Sequence, residues 1–368
     1  MPINARPEYF KAEEKYHKAS TPEEKIRALE EMLRVAPSHK GAENLRAGLK
    51  QKLSKLRVSL EKNRQQSKGK GNQPTIKREG AAQVALISIT NAGKSALLQG
   101  VTNAKPEVAD YAYTTTKPEV GIMNVGGANI QLIEIPSFFE DFAYKGDGPT
   151  YFSIIRNVDL VVFVIDTTQD EIGQLNLLFA EFEKAQVKLN AKKPKISIKK
   201  QGVGGIEWLG KRHCKFAIRE GTKMLTSSGF HNATVTIHQS VTLEDLADVL
   251  NESLVYLPLL TIYTKSDITN KGVSAKTGKG LDKLKEKIFD ALRLIRIYTK
   301  SPGKKKDFPP VSLHKGESIR DLAAIIHKDF YKKFRYARIW GKSAKHDGQT
   351  VGLEHKLKDQ DIVEFHLK

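Results

Sequence analysis

A chain of 368 residues, with 39% hydrophobic and 28% charged residues, has the composition of a globular protein of two or three domains. Its apolar runs are too short to span a bilayer, its N-terminus has no apolar signal-peptide core, and its single cysteine excludes an intramolecular disulfide framework. We therefore expect a cytoplasmic protein without a membrane or DNA partner. The formal net charge of +19 predicts RNA or the ribosome as a partner, with a solvated Lys-rich surface as the alternative.

The first 74 residues predict a helical hairpin and a linker. Thr21 and Glu24 form a capping box before a helix that ends near Pro37. The second helix has leucines at spacings of three and four, namely Leu45, Leu49, Leu53, Leu56 and Leu60. Basic residues outnumber acidic ones between Lys40 and Lys70, so the hairpin is expected to have a basic outer face.

Residues 75–299 alternate buried strands with helices, which predicts an α/β domain with a mostly parallel sheet. The strands are "AQVALISI", "ANIQLIEIP", "NVDLVVFVID" and "LPLLTIYTKSD". A basic, Gly-rich segment at about 191–252 is predicted to be an α/β insert. After the linker "KSPGKKKDFPP", residues 300–368 alternate short strands with one helix, which predicts a small α+β domain.

The segment "ISITNAGKSALL" matches most of a phosphate-binding loop between a strand and a helix. Backbone N–H groups at the start of such a helix surround phosphates. The predicted loop contains Asn91, Ala92, Gly93, Lys94, Ser95 and Ala96. Lys94 would contact the β- and γ-phosphates of the nucleotide, and Ser95 would hold Mg²⁺.

Two further elements follow in the order that a GTPase requires. "YAYTTTKPEVG" offers Thr115 to bind Mg²⁺ and to sense the γ-phosphate. "LIEIPS" ends a strand with an acid, Glu134, at the position of the acid in D-x-x-G. The predicted metal ligands are therefore Ser95, Thr115 and Glu134.

A guanine site is predicted at the end of another strand, where "TKSD" matches N/T-K-x-D. Asp267 can accept from N1–H and N2–H of guanine, which adenine does not offer, so an ATPase is disfavoured. Lys265 would pack over the base, and the Thr264 hydroxyl can tie this motif to the phosphate loop. In "VSAK", the backbone of Ser274, Ala275 and Lys276 is expected near the guanine O6.

These motifs resemble the Obg-related GTPases, and specifically the developmentally regulated GTP-binding protein family. The resemblance covers nearly the whole chain, from "HKGAENLRAGLKQKLSKLR" to the tail "FRYARIWGKSAKHDGQTVGLEHKLKDQDIVE", which is similar to a TGS domain. It implies a P-loop GTPase fold, an insert similar to a ribosomal-protein domain and a β-grasp-like TGS domain. It also implies GTP and GDP as ligands, a role in translation and a small stabilising partner protein.

The chain departs from the family pattern at three positions. Ser88 replaces the first glycine of the loop, Glu134 replaces the switch aspartate, and Ser137 replaces the switch glycine. Guanine and β-phosphate recognition are expected to be intact, whereas the γ-phosphate switch is expected to be altered.

The departures leave two functions open: a slow GTPase, or an RNA or ribosome adaptor, either GTP-binding or nucleotide-free, that has lost hydrolysis. Phe138 and Phe139 stand where Ras-like enzymes orient the attacking water with Gln. Asn91 is similar to the loop Asn of K⁺-stimulated GTPases, or it is only a polar loop residue. The expected catalytic residues are therefore Lys94, Thr115 and Asn91. Glu140 and Asp141 are expected to be solvated acids.

The tail mixes cations with aromatic residues in "KDFYKKFRYARIWGKSAK". Rings beside cations suit RNA, but alternating aromatic residues in a strand also form a core. We expect most of the rings to lie in the core and the basic face to bind RNA or the ribosome.

Overall fold

The computed structural model describes residues 7–19, 22–37, 42–67, 76–102, 107–108, 118–327, 330 and 333–367. The chain divides into two compact units. One comprises Met1–Asn72 and Lys192–Tyr256, and the other comprises Gln73–Ala191 and Leu257–Lys368.

The elements follow in chain order. The helices are α1 (Pro7–Lys18), α2 (Pro22–Val35), α3 (Glu43–Ser67), α4 (Lys94–Val101), α5 (Gly148–Ile155), α6 (Glu171–Lys184), α7 (Ile218–Ser227), α8 (Leu243–Leu250), α9 (Ser266–Thr269), α10 (Leu281–Ala291) and α11 (Ile319–Ile326). The strands are β1 (Ala82–Ile87), β2 (Glu107–Val108), β3 (Glu119–Val125), β4 (Ala128–Glu134), β5 (Leu160–Asp166), β6 (Val187–Leu189), β7 (Ile196–Lys200), β8 (Ile206–Leu209), β9 (Ala233–Ile237), β10 (Val255–Leu257), β11 (Leu259–Thr264), β12 (Leu294–Lys300), β13 (Val311–His314), β14 (Phe334–Trp340), β15 (Gln349–Val351) and β16 (Ile362–Leu367). No helix among these residues is both long and apolar enough to cross a membrane.

The centre of the second unit is a six-stranded sheet in the order β11-β5-β1-β4-β3-β2. Strand β1 is parallel to both β4 and β5, which explains why all six of its residues are buried. One core cluster packs α4 and α10 against the sheet through Leu97, Leu98, Leu284 and Ile288. The predicted α/β domain with a mostly parallel sheet is confirmed.

A five-stranded sheet in the order β13-β12-β16-β14-β15 forms the C-terminal part of the same unit. Helix α11 packs on it through Ile319 and Leu322, so the predicted small α+β domain is also confirmed. The turn between β3 and β4 touches this part. Gly127 has φ +93°, and a Cβ there would lie 2.4 Å from Cδ of Pro310. A close approach and a left-handed backbone together require glycine at this turn.

The described aromatic residues of β14 are packed against neighbours rather than free to stack on bases, whereas Tyr331 lies outside the described residues. Phe334 contacts Phe365 with ring centroids 6.3 Å apart, and Tyr336 stacks on His366 at 4.4 Å. Lys300 lies 3.6 Å from the ring centroid of Trp340. Arg335 and Arg338 of β14 remain exposed, as expected for a basic face over an aromatic core. The expected tail cations Lys328 and Lys332 lie outside the described residues.

The first unit joins the N-terminal helices to a three-stranded sheet in the order β7-β9-β8. Ala47 of α3 belongs to the same core cluster as Trp208, Leu225 and Leu246. The sequence analysis describes this helical region as a hairpin, whereas the structure adds a third helix, α1. Only Tyr9 and Ala12 of α1 are buried, so its apolar pattern is weak.

The basic face of α3 is not wholly free. Arg46 and Lys50 form ion pairs with Glu244, at 3.5 and 2.9 Å. Arg57 is paired with Glu30, and Lys55 donates to the Ser227 carbonyl at 2.6 Å. Much of the charge that the sequence assigns to an outer face therefore binds partners within the first unit.

Candidate nucleotide-binding site

The candidate site lies at the carboxyl edge of the six-stranded sheet. Parallel strands β1, β4, β5 and β11 end there at Ile87, Glu134, Asp166 and Thr264. Ligands of open α/β sheets bind outside the carboxyl ends of the strands. The loop after β1 leads directly into α4, as a phosphate-binding loop requires.

The backbone of this loop has two left-handed residues, Asn91 at φ +62° and Gly93 at φ +84°. Gly93 has open space at its Cβ position, so the backbone conformation alone favours glycine there. Asn91 and Ala96 are exposed, whereas Ala92 is buried.

Ser88 fits its position without left-handed strain. It is 1% exposed, and its hydroxyl donates to the Ile89 carbonyl at 2.6 Å. Its own carbonyl accepts from the Phe138 amide at 2.8 Å. The replacement of the first loop glycine therefore leaves a hydrogen-bonded turn.

Lys94 is almost completely buried, with 5% of its surface exposed. Its Nζ donates to the Ser137 hydroxyl at 3.2 Å. Burial lowers the pKa of Lys94 to about 8, although the nearby Glu134 carboxylate opposes the shift. A buried ammonium with one neutral partner is poised to gain from an anionic ligand such as a phosphate.

Ser95 and Glu134 form the candidate cation site. The Ser95 hydroxyl donates to Oε1 of Glu134 at 2.7 Å, while the buried Oε2 has no hydrogen-bond partner among the described residues. Burial raises the pKa of Glu134, opposed by the Ser95 hydrogen bond and the charge of Lys94. Hydroxyl and carboxylate oxygens suit Mg²⁺, and a cation would satisfy the orphaned oxygen, so this donor set fits the ion.

Thr264 joins the phosphate loop to the base-reading segment. Its buried hydroxyl lies 2.8 Å from the Ala92 carbonyl and 3.1 Å from the Ile165 carbonyl. This contact is the tie expected from the sequence, and it connects β11 to the loop after β1.

Lys265 has a left-handed backbone, with φ +63°, and its Nζ lies 2.5 Å from Oδ2 of Asp166. Asp166 is fully buried and also accepts from the amide and hydroxyl of Thr168. Burial alone would raise the pKa of Asp166, but the lysine and these hydrogen bonds hold it below its usual value. The sequence analysis missed Asp166; the signal was an acid that ends the apolar strand "LVVFVID".

Asp267 is exposed, and its Oδ1 accepts from the Ser274 hydroxyl at 2.8 Å. This hydrogen bond lowers the pKa of Asp267. Ser274 is buried and also accepts from the Thr277 amide, while Lys276 is exposed and Ala275 half-buried between them. The structure thus brings the "TKSD" and "VSAK" segments together around one carboxylate.

The segment after β4 is held against α6. Phe138 is buried and stacks on Phe142, with ring centroids 4.1 Å apart. Glu181 accepts from the amides of Asp141 and Ala143 at 2.8 and 2.9 Å. Sequence reasoning missed Glu181, a buried acid in the apolar helix segment "LFAEFEK".

The two acids of this segment differ. Asp141 pairs with Lys184 at 3.0 Å and with Lys145 at 3.2 Å, so it is an ion-paired group rather than a freely solvated acid. Glu140 is exposed, as expected. Thr115, the third predicted metal ligand, lies outside the described residues.

Comparisons with known proteins show the family to which the chain belongs. Family models match for a 50S ribosome-binding GTPase at residues 83–200, the C-terminal region of that GTPase domain at 203–294, and a TGS domain at 295–367. An uncharacterized GTP-binding protein of Methanocaldococcus jannaschii is 36% identical over 94% of this chain and 93% of that protein. Developmentally-regulated GTP-binding protein 2 of Homo sapiens is 31% identical over 93% of this chain and 98% of that protein. A solved GTP-binding protein of Pyrococcus horikoshii covers 78% of this chain and 100% of its own, at 15% identity and a TM-score of 0.40.

Proposed function

Because this chain belongs to the developmentally regulated GTP-binding protein family, we propose that it binds GTP, hydrolyses it slowly to GDP and phosphate, and acts on the ribosome or RNA in the cytoplasm. The observation that carries the nucleotide part is the Thr264 hydroxyl bonded to the Ala92 carbonyl at 2.8 Å. This contact supports the proposal because it holds the candidate phosphate loop beside the segment that carries Asp267.

In this proposal, different residues bind the base, the phosphates and the metal ion. Asp267 accepts from N1–H and N2–H of guanine, while the backbone around Ser274, Ala275 and Lys276 lies toward O6. The amides from Asn91 to Ala96 surround the phosphates. Lys94 would neutralise charge on the β- and γ-phosphates. Ser95, Glu134 and Thr115 would hold Mg²⁺, which would supply positive charge to the phosphates.

Hydrolysis requires water to attack the γ-phosphorus while its bond to the β–γ bridging oxygen breaks and GDP leaves. Phe138 is buried and has no polar atom to orient that water. The exposed Asn91 would instead hold a K⁺ ion, which would supply the positive charge that an arginine finger provides in other GTPases. Because neither Phe138 nor Phe139 has a polar side-chain atom to orient that water, we propose a slow rate.

The second candidate function is an adaptor that binds GTP without hydrolysing it. The observation that favours it is the anchoring of residues 141–143 by Glu181, together with the buried Phe138. A switch segment fixed in this way rearranges less readily when the γ-phosphate is lost.

The action on RNA is proposed from the net charge of +19, the exposed Arg335 and Arg338 of β14, and the family model described as a 50S ribosome-binding GTPase. The family resemblance also suggests a small stabilising partner protein.

Single-turnover conversion of pre-bound, γ-labelled GTP with Mg²⁺ tests the proposal, in potassium and in sodium buffer. We expect slow conversion that is faster in potassium, and we expect Asn91→Ala to remove the potassium effect. Gln99→Ala, an exposed substitution on α4, is the matched control.

Tight GTP binding without conversion in either salt would instead establish the adaptor. Restoring Ser88→Gly, Glu134→Asp and Ser137→Gly together then serves as the second measurement. A large gain in turnover shows that these three substitutions caused the loss of hydrolysis, whereas no gain places the cause of the loss elsewhere and leaves the adaptor function standing.

A further inference from the structure

The first unit has a strongly cationic edge that contains none of the candidate nucleotide-site residues. Strands β8 and β9 are parallel, with Leu209 paired to Thr236, and α7 connects them. Their carboxyl ends therefore meet at the same edge of the three-stranded sheet, where ligands of α/β units bind. Strand β7 is antiparallel to β9, so the residues before Ile196 reach this edge as well.

Backbone contacts hold three segments side by side at this edge. The His238 amide donates to the Lys195 carbonyl at 3.3 Å, and the Val241 amide donates to the His213 carbonyl at 2.9 Å. Gly210 has φ +81°, and a Cβ there would lie 2.3 Å from the Ile237 carbonyl oxygen. The segments 192–195, 209–215 and 237–241 thus form one packed surface, which we call the insert edge.

An open pocket of about 650 Å³ lies at the insert edge. It is lined by residues 208–213 with Ile237 and His238. Trp208 is only 5% exposed, and its indole N–H donates to Thr222 at 3.1 Å, so its ring is not available to stack on a base.

The charge of the insert edge is one-sided. Its three segments contain no Asp or Glu. They contribute six exposed cationic residues, namely Lys192, Lys193, Lys195, Lys211, Arg212 and Lys215. None of the six forms an ion pair with another residue of the described part of the chain. Six like charges within three packed segments repel one another, so an anionic ligand relieves a cost already present in the fold.

We propose that the insert edge is a binding site for the phosphodiester backbone of RNA. Lys211, Arg212 and the lysines before β7 contact successive phosphates, and the pocket holds one of them. Protein interfaces are centred on apolar or aromatic anchors, whereas RNA-backbone interfaces are polar and positively charged, as this edge is. Because the contacts are made to phosphates, which carry no sequence information, the site binds RNA without sequence preference.

This inference rests on the proposed action on RNA, and one titration separates the two. A fluorescein-labelled single-stranded RNA of mixed sequence, about 20 nucleotides long, is titrated with the full chain in the GDP state at increasing KCl. The variant is Lys211→Glu with Arg212→Glu. The matched control reverses two exposed lysines of α10, Lys283→Glu with Lys287→Glu, and circular dichroism verifies that each variant is folded.

We expect the insert-edge variant to bind the RNA at least tenfold more weakly, and the control to stay within twofold of the parent chain. The slope of log affinity against log salt should fall by about 1.4, because each single-strand phosphate contact contributes about 0.7.

Three results would overturn the inference. The first is an insert-edge variant that binds RNA as tightly as the control variant does. In that case Arg335→Glu with Arg338→Glu tests whether RNA binds the tail instead, and the proposed function still stands. Displacement of the RNA by polyglutamate at equal charge would identify an acidic protein as the ligand. No RNA binding by the parent chain at low salt would remove the proposed action on RNA together with its site.

Discussion

The cations of the nucleotide cleft and those of the insert edge differ in what surrounds them. In the cleft, Lys94 is buried beside Glu134 and Ser137, and Lys265 lies 2.5 Å from the buried Asp166. At the insert edge, six exposed cations share segments that contain no acid. The first arrangement positions single charges for one small ligand, whereas the second creates a field that acts over a distance and is screened by salt.

Removing the charge of Lys94 should have the largest effect on nucleotide binding. Lys94→Ala should weaken GDP binding at least about 100-fold, because charge-assisted hydrogen bonds contribute about 1.5–3 kcal/mol each and Lys94 is placed to make them to phosphates. A fluorescent GDP analogue measures the affinity, with the exposed Lys283→Ala as control. An affinity within threefold of the parent chain would show that the backbone amides suffice.

Salt concentration should change the affinity for RNA much more than the affinity for GDP, so it distinguishes the two regions without any mutation. Between 50 and 200 mM KCl, RNA affinity should fall about 50-fold if four single-strand phosphates are contacted. GDP affinity should change by less than about threefold, because buried charges are screened weakly. Parallel titrations with RNA and with GDP measure both affinities. An equal loss of affinity for the two ligands would contradict the proposed difference between the regions.

Removing the hydrogen bond between Thr264 and the phosphate loop should have a smaller effect on GDP affinity. Thr264→Val removes the hydroxyl that reaches the Ala92 carbonyl but keeps the side-chain shape. We expect GDP affinity to fall about tenfold and the free energy of unfolding to fall by about 1–2 kcal/mol, because buried carbonyls lose a donor. Denaturant unfolding and GDP titration measure both quantities. Thr264→Ser retains the hydroxyl and should restore the affinity; if it does not, the methyl group is what matters.

The smallest expected effect is the uptake of a fraction of a proton when GDP binds. Burial lowers the pKa of Lys94 to about 8, and an anionic phosphate raises it again, so GDP binding takes up protons where Lys94 is partly neutral. Near pH 8 the uptake should be about half a proton, falling to about a tenth near pH 7. Calorimetry in two buffers of different ionisation enthalpy measures it. Uptake that does not rise between these pH values would show that the lysine is already fully charged before binding.

Local patterns were sufficient to predict much of the fold. The continuous apolar runs of β1 and β5 predict buried parallel strands, and the phosphate-loop motif places Lys94 and Ser95 at the start of α4. The tie from Thr264 to the loop was also predicted, because both motifs end strands at the same edge of the sheet.

Contacts between distant segments were not predictable in this way. The Lys50–Glu244 pair joins residues 194 positions apart, so the sequence assigns Lys50 to an outer face where the structure pairs it. Glu181 looks like one more surface acid of a helix until its partners, the amides of Asp141 and Ala143, are known. Helix α1 escapes detection because it buries only two residues.

Strand β4 has the turn against Pro310 at one end and Glu134 at the other, about 20 Å apart for a seven-residue strand. It is paired on both sides, with β1 and with β3. A strand paired in this way keeps its register, because a shift of one residue would break the hydrogen bonds to both neighbouring strands. The strand is therefore a rigid spacer, and we expect a displacement of the turn against Pro310 to reach Glu134 only together with the neighbouring strands.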